Sequence, residues 1–234
     1  MREAEERLKA HLKELAEEYH GHPLLAELQT LGERYIRLNR QLGKITKIGD
    51  RMQVQMRELN QALEQASLSD PLTGMPNRRA IMRRLKTEVS RVDRGGLPFA
   101  LVMVDIDHFK LVNDTYGHDV GDTAIVAVSR TLRQITRDYD VCARWGGEEF
   151  LLFLPDSSPE SASATGEKLR RGVADVRIPH QGQTVTLTIS LGIALHERHT
   201  SLDRCIQRAD QSLYMAKRAG RNRCHMAETV DEAP

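Results

Sequence analysis

Arg144-Trp145-Gly146-Gly147-Glu148-Glu149-Phe150 lies between two apolar, strand-like runs, Val141 to Ala143 and Phe150 to Leu154. Gly-Gly between such runs predicts a two-residue hairpin, because both turn positions take positive φ freely when no Cβ is present. The next two residues are carboxylates at the rim of the turn. Backbone bare of side chains beside fixed negative charge suits a site that admits a nucleotide and holds a divalent metal. A lone Gly-Gly-Glu-Glu is more often a solvated turn with two surface acids. Here a second acidic pair stands upstream at another strand end, and that favours a site.

The upstream pair closes the run Phe99–Asp105, which reads as a buried strand and continues into Ile106-Asp107. Residues i and i+2 of a strand share a face, so Asp105 and Asp107 point the same way. Such a strand end beside Glu148 and Glu149 resembles the carboxylate cradle of metal-dependent nucleotidyl transfer, whose hard oxygen donors suit Mg²⁺ or Mn²⁺. Asp105 is read mainly as a metal ligand. Asp107 stays open, because it also fits an N-cap of the helix that follows.

That helix, starting near His108, would aim free N–H groups at a phosphate, with Lys110 adding charge. Asn113 and Asp122 carry the right groups for guanine: a carboxylate accepts from N1–H and the 2-amino group, and an amide donates to N7 or O6. Near the C-terminus Lys217 and Arg221 stand four apart, hence on one helical face if the helix continues, and two cations on one face fit a triphosphate clamp. Taken alone, that pair is a solvated basic face.

Working outward, strands and helices alternate from Asp70 onward. Helices are expected at Gly121–Ile135, Glu160–Val173 and Leu202–Ala219, and strands at Val141–Trp145, Phe150–Leu154 and Thr184–Leu195. Gly95-Gly96, Pro155-Asp156 and the stretch from Pro179 to Gly182 punctuate them. This pattern predicts an α/β domain with a covered sheet.

Residues 1–66 differ. Apolar residues fall at alternating steps of three and four: Leu28, Leu31, Tyr35, Leu38, Leu42, Ile45, Met52, Met56, Leu59, Leu63, Ala66. The slot between Ile45 and Met52 is Gly49, with Ile48 beside it. A 3.5-residue repeat of this length argues for a coiled coil. Gly43 and Gly49 are weak points, each costing about 1 kcal/mol in a helix. A helix from Leu24 to Ala66 would be about 65 Å long and could not bury its stripe alone, which implies a dimer or a partner. Leu8, Leu12, Leu15 and Tyr19 make a shorter amphipathic helix before it, ended by His20-Gly21-His22-Pro23. His11, His20 and His22 have no Cys or carboxylate cluster around them and are read as loop or surface residues.

The chain has 234 residues and a net charge of +1, which gives no electrostatic case for nucleic acid or anionic membrane. Its charged start lacks the apolar core of a signal peptide, and no run is long and apolar enough to span a bilayer. Cys142, Cys205 and Cys224 are odd in number and lack metal-like spacing, as expected of reduced thiols in a cytoplasmic protein.

With these motifs in order, the chain resembles a GGDEF-family diguanylate cyclase. The matching pieces are Asp70 through Arg79, the Asp105–Asp122 block, Gly146 to Phe150, Ile189 to Ala194, and Ala209-Asp210 through Lys217 to Arg223. The resemblance implies a palm-like domain with a central mixed sheet flanked by helices at 67–226, a helical coiled-coil stalk at 1–66 and a flexible tail at 227–234. It implies that Asp105, Glu148, Glu149 and the Ile106 carbonyl serve the metals, with Glu148 and Glu149 catalytic. Asn113 and Asp122 would read guanine, Phe109, Lys110, Lys217 and Arg221 would contact phosphates, and Gly146 and Gly147 would let substrate lie against the hairpin. The third signature position is Glu rather than Asp, and both types occur in active members. Arg137 and Asp140, with five residues between Asp140 and Gly146, match the family's inhibitory product site.

The implied reaction condenses two GTP into cyclic di-GMP in a homodimer. No sensor sequence precedes the stalk, so a regulatory protein is expected to act through residues 1–66. Two other readings compete: a non-catalytic cyclic di-GMP receptor, disfavoured by the complete signature, and a mononucleotide cyclase, disfavoured by Asn113 and Asp122.

Overall fold

The structure, a computed structural model, describes residues 2–66 and 68–228. The tail expected at 227–234 therefore lies, from residue 229 onward, outside the described residues. The chain divides into two compact units at Ala66.

The first unit is a helical hairpin. Helices α1 (Arg2–Glu18) and α2 (Leu24–Ala66) are joined by a turn in which Gly21 sits at φ 87°. Helix α1 packs on the face of α2 that carries Gly32 and Ile36. A Cβ on Gly32 would collide with Leu12, so this glycine sets how closely the helices approach. Glu5 accepts hydrogen bonds from Arg40 and clasps the open end of the hairpin. The heptad stripe lies on a different face. Leu28, Leu31, Tyr35, Leu38, Leu42, Ile45, Met52, Met56 and Leu59 are all exposed in the single chain, while the side chains of Leu63 and Ala66 fall outside the description. Helix α2 runs unbroken through Gly43 and Gly49. No described helix is long and apolar enough to cross a membrane.

The second unit is built on a five-stranded mixed sheet. Its strands are β1 (Phe99–Ile106), β2 (Val141–Arg144), β3 (Glu149–Leu154), β6 (Ile189–His196) and β7 (Cys224–Met226), in the order β2-β3-β1-β6-β7. The β6–β7 pair is parallel and the others are antiparallel. Helices α3 (Arg78–Asp93), α4 (Phe109–Tyr116), α5 (His118–Ile135), α6 (Pro159–Ala174) and α7 (Leu202–Arg218) complete it, with a separate hairpin of β4 (Ile178–His180) and β5 (Gln183–Val185).

Strand β1 is buried along its whole length and alternates between two cores. Ala100, Val102 and Val104 face the α5 and α6 side, with Val128, Leu132 and Leu169. Phe99, Leu101 and Met103 face the α3 and α7 side, with Ile81, Leu85, Ala209 and Leu213. By the same two-residue period, Asp105 points toward α7. Helix α7 sits unusually close to the sheet, because a Cβ on Gly192 would collide with the backbone at Ala209 and Leu213.

Two expectations change, and one helix is added. The strand expected at Thr184–Leu195 is two strands, β5 and β6, with residues 186–188 between them. The segment read as punctuation from Pro179 to Gly182 contains part of β4 and a tight turn in which Gln181 and Gly182 both take positive φ. Helix α3 was not anticipated. It starts at Asn77, whose side chain accepts from the Ala80 N–H at 3.0 Å, and it buries only one narrow row, Ile81, Leu85, Glu88 and Val92.

Candidate active site

Asp105 is 7% exposed and stands directly opposite Glu149 in the β1–β3 register. The Ile106 N–H donates to the Glu148 carbonyl at 3.4 Å, continuing that pairing to the strand end. Lys217, in the last turn of α7, places its ammonium 2.8 Å from Asp105 Oδ2. Burial pushes the Asp105 carboxyl up, Lys217 pulls it down, Asp107 adds to the push and Arg221 opposes it. Glu148 and Glu149 are half-buried and both rise: burial contributes most, the Asp105 charge adds, and Lys217 opposes. Three carboxylates thus crowd one partly dry region. Among the described residues, no three acidic, His or Cys side chains already converge as a ready metal cluster. The donors nevertheless fit a hard divalent cation: they are oxygens, they repel one another, and a cation, the Lys217 ammonium, already sits on Asp105.

The signature turn differs from the expected one. Neither Gly146 nor Gly147 takes positive φ, and the loop closes as Trp145 N–H and Gly146 N–H both donate to the Glu149 carbonyl, at 2.8 and 3.3 Å. The glycines matter for space instead. A Cβ on Gly146 would lie 2.6 Å from Glu149 Oε2, while nothing stands within 4 Å of one on Gly147. Gly147 therefore presents open backbone on which a ligand can lie.

Arg144 fixes that backbone. Its Nη2 and Nε donate to the Gly147 carbonyl at 2.8 and 3.1 Å, and its Nη1 donates to Asp70 at 3.0 and 3.1 Å. Asp70 also accepts from the Thr73 N–H and hydroxyl, at 2.9 and 2.7 Å. Burial pushes Asp70 up, but the Thr73 and Arg144 donors outweigh it and hold the carboxyl below its ordinary value.

On the other side, α4 begins at Phe109 after His108, which is left-handed at φ 56° and makes no side-chain cap. Phe109 is buried and Lys110 exposed, so Lys110 can add charge at this helix start. Gly121 leaves room for the Asn113 side chain, which a Cβ there would strike. Half-buried Asn113 is thus brought against the first turns of α5, beside exposed Asp122. The helix does not continue to Arg221: α7 ends at Arg218, Gly220 turns the chain at φ 112°, and Arg221 follows at φ 61°, exposed, so the two cations do not share a helical face.

Asp107 is not the N-cap, since His108 holds that position. Asp107 is 5% exposed and accepts from Ser190 Oγ and Thr188 Oγ1, both at 2.7 Å, and from the Asn222 N–H at 3.0 Å. Chain order could not show these partners, which lie more than 80 residues away. Arg144 and Asp70 were visible only as motif letters with no role attached.

Arg137 and Asp140 line a separate pocket of about 330 Å³ with Pro76, Arg133, Thr136 and Cys142. Asp140 accepts from the Arg137 backbone N–H at 2.9 Å, and the Arg137 guanidinium donates to the Tyr139 hydroxyl at 2.7 Å. Burial pushes the Asp140 carboxyl up, against the pull of Arg137.

Residues 67–223 match the family described as diguanylate cyclase, GGDEF domain. Diguanylate cyclase DgcP of Pseudomonas aeruginosa is 43% identical over 163 residues, which is 70% of this chain but 24% of DgcP. The chain thus spans about a quarter of that relative's length. Among solved structures, diguanylate cyclase SiaD in complex with its activator SiaC, from Pseudomonas aeruginosa, aligns with a TM-score of 0.67 and 36% identity, covering 97% of this chain and 98% of SiaD. The GGDEF domain of DgcB from Caulobacter crescentus, in complex with c-di-GMP, aligns at 0.67 and 33%, covering 70% of this chain and 97% of that one. Every site residue placed above lies within the matched span, and the chain belongs to the GGDEF diguanylate cyclase domain family.

Proposed function

We propose that this chain is a diguanylate cyclase that condenses two GTP into cyclic di-GMP and releases two pyrophosphates. The observation that carries this reading is the placement of Asp105, Glu148 and Glu149 at adjacent strand ends with Lys217 across from them. Asp105, the Ile106 carbonyl, Glu148 and Glu149 would hold Mg²⁺ or Mn²⁺. Bound there, such ions lower the pKa of the attacking hydroxyl and neutralise charge on the leaving pyrophosphate.

The chain's own residues do the rest. Asn113 and Asp122 orient guanine. Phe109, Lys110, Lys217 and Arg221 hold the phosphates, which draws Lys217 from Asp105 toward the triphosphate. Gly147 lets the nucleotide lie on the hairpin that Arg144 fixes. Glu148, whose proton affinity is raised by burial and by Asp105, takes the proton of the 3′-hydroxyl. That oxygen bonds to the α-phosphorus of the second nucleotide as the bond to the bridging α–β oxygen breaks.

Each domain holds one GTP, so two copies must face each other. The exposed stripe on α2 supports a homodimer through the stalk, which raises the local concentration of the second half-site. It also sets geometry, where an error of about 1 Å costs roughly a hundredfold in rate. A regulatory protein acting on the 1–66 hairpin is supported by the SiaD structure, solved with an activator bound. Product feedback at Arg137 and Asp140 is supported by their shared pocket and by the DgcB structure, solved with c-di-GMP. The cytoplasm suits the free cysteines.

The test is chromatography and mass analysis of products from the purified chain with GTP and Mg²⁺, beside ATP and the Glu148→Ala variant. Cyclic di-GMP from GTP and wild type alone supports the reading. Product binding with no synthesis, in a folded dimer supplied with its activating partner, sinks it in favour of a receptor.

A further inference from the structure

Asp107 is a buried carboxylate that the proposed chemistry leaves unused. Its Oδ1 accepts from Ser190 and its Oδ2 from Thr188 and from the backbone N–H of Asn222. Three donors occupy it, which leaves it poorly placed to ligate a metal. The third donor is the informative one. Asn222 follows Arg221, and these two non-glycine residues sit consecutively in the left-handed region, at φ 46° and 61°, after Gly220 at φ 112°. Such a backbone persists only where its surroundings over-determine it.

The surroundings here are all visible. Arg221 N–H donates back to the Ala216 carbonyl at 3.1 Å, Leu191 N–H donates to the Arg223 carbonyl at 2.9 Å, and Arg170 donates to Asn222 Oδ1 at 2.8 Å. Asp107 adds the buried, charged contact at the centre of the turn. It ties the turn to the end of β1, two residues from Asp105. Arg221 is thereby fixed in relation to the carboxylates, and its charge is felt at Asp105.

We propose that Asp107 is a positioning residue: through the Asn222 N–H it holds the turn after α7 so that Arg221 faces the terminal phosphates of the nucleotide. This rests on the triphosphate reading of the site. It makes a distinction that the motif's two aspartates conceal, since Asp105 acts by charge toward a cation and Asp107 by accepting hydrogen bonds.

The two roles respond oppositely to an amide. In Asp107→Asn, the amide oxygen can face Thr188 and Asn222 while its NH₂ donates to the Ser190 hydroxyl, so the turn survives. The experiment measures affinity of the full chain for the α,β-methylene analogue of GTP and for GMP, in wild type, Asp107→Asn, Asp107→Ala, Arg221→Ala and the Asp107→Ala/Arg221→Ala double variant. Hydrogen exchange across residues 219–223 is followed in parallel.

Asp107→Ala and Arg221→Ala should each weaken the triphosphate analogue roughly tenfold, as loss of a charged hydrogen bond implies, and leave GMP unchanged. The double variant should be no weaker than either single one. Asp107→Asn should stay within about twofold of wild type. The Asn222 amide should exchange faster in both variants that carry Asp107→Ala, and not in Asp107→Asn or Arg221→Ala.

Unchanged exchange at Asn222, additive losses, or Asp107→Asn as damaging as alanine would each overturn the proposal. If the Ala variant does not fold, Asp107→Asn still tests the proposal, because a loss of the analogue as large as in Arg221→Ala would overturn it. A wild type that binds the triphosphate analogue no better than GMP contradicts the functional reading instead, while the exchange data still report on the anchor.

Discussion

The Lys217 ammonium lies 2.8 Å from Asp105 Oδ2 and joins the last turn of α7 to the end of β1. Lys217 is only partly buried, with its side chain 31% exposed against 9% for Asp105. The partner that can leave is therefore the cation, and the carboxylate stays in place. Lys217→Met should raise the KM for GTP and cut kcat/KM by roughly a hundredfold, because a preorganised charge on the phosphates is lost. Asp105→Asn should abolish turnover while leaving the fold intact. Steady-state kinetics and a thermal melt check both. Full activity in Lys217→Met would remove this residue from the phosphate site.

The Asp70–Arg144–Gly147 chain of contacts predicts a pH-dependent effect. A carboxyl held below its unfolded value stabilises the fold above the ordinary carboxylate range and loses that contribution as pH falls through its folded value. Asp70→Asn should therefore cost about 1–3 kcal/mol near neutral pH. The gap to wild type should close in acid, as read from urea midpoints across pH. A gap that widened in acid would contradict the pairing.

Gly192 predicts a packing effect transmitted to the site. Adding one methyl in Gly192→Ala forces α7 off β6 and should cost about 1–3 kcal/mol. Activity should fall further than stability, because Lys217 and Arg221 move with the helix. Denaturant titration and kinetics on the same preparation separate the two.

Little in chain order announced that close contact. The apolar run of β1, the helical segments α5 and α7, and the acidic residues at Asp105 and Glu148-Glu149 are legible, because each is a local pattern. Helix α3 is not, since its apolar residues form one narrow row among many arginines. Two glycines permit positive φ without requiring it, so Gly146-Gly147 does not form the turn its sequence suggests. The tight two-residue turn falls at Gln181-Gly182 instead. Asp107 looked like an N-cap because its partners Thr188, Ser190 and Asn222 are brought close only by β1–β6 pairing and the turn after α7.

Arg137→Ala should leave initial rates unchanged and remove self-limitation. Progress curves that flatten early in wild type should stay linear in the variant, with GTP still in excess. Identical curvature in both would place product inhibition elsewhere.

The proposed stalk dimer, resting on the exposed α2 stripe, predicts that Leu31→Asp with Leu38→Asp lowers self-association without unfolding the catalytic unit. Specific activity should then rise steeply with protein concentration. Light scattering and kinetics over the same range check it.

The most direct test of two-nucleotide condensation uses an equal mixture of ordinary and ¹⁵N-labelled GTP, with product masses measured alongside released pyrophosphate. The account predicts cyclic di-GMP in three masses, with the mixed-label species twice as abundant as either pure one, and two pyrophosphates per product. Only two unmixed masses at the size of a single cyclic nucleotide would contradict it.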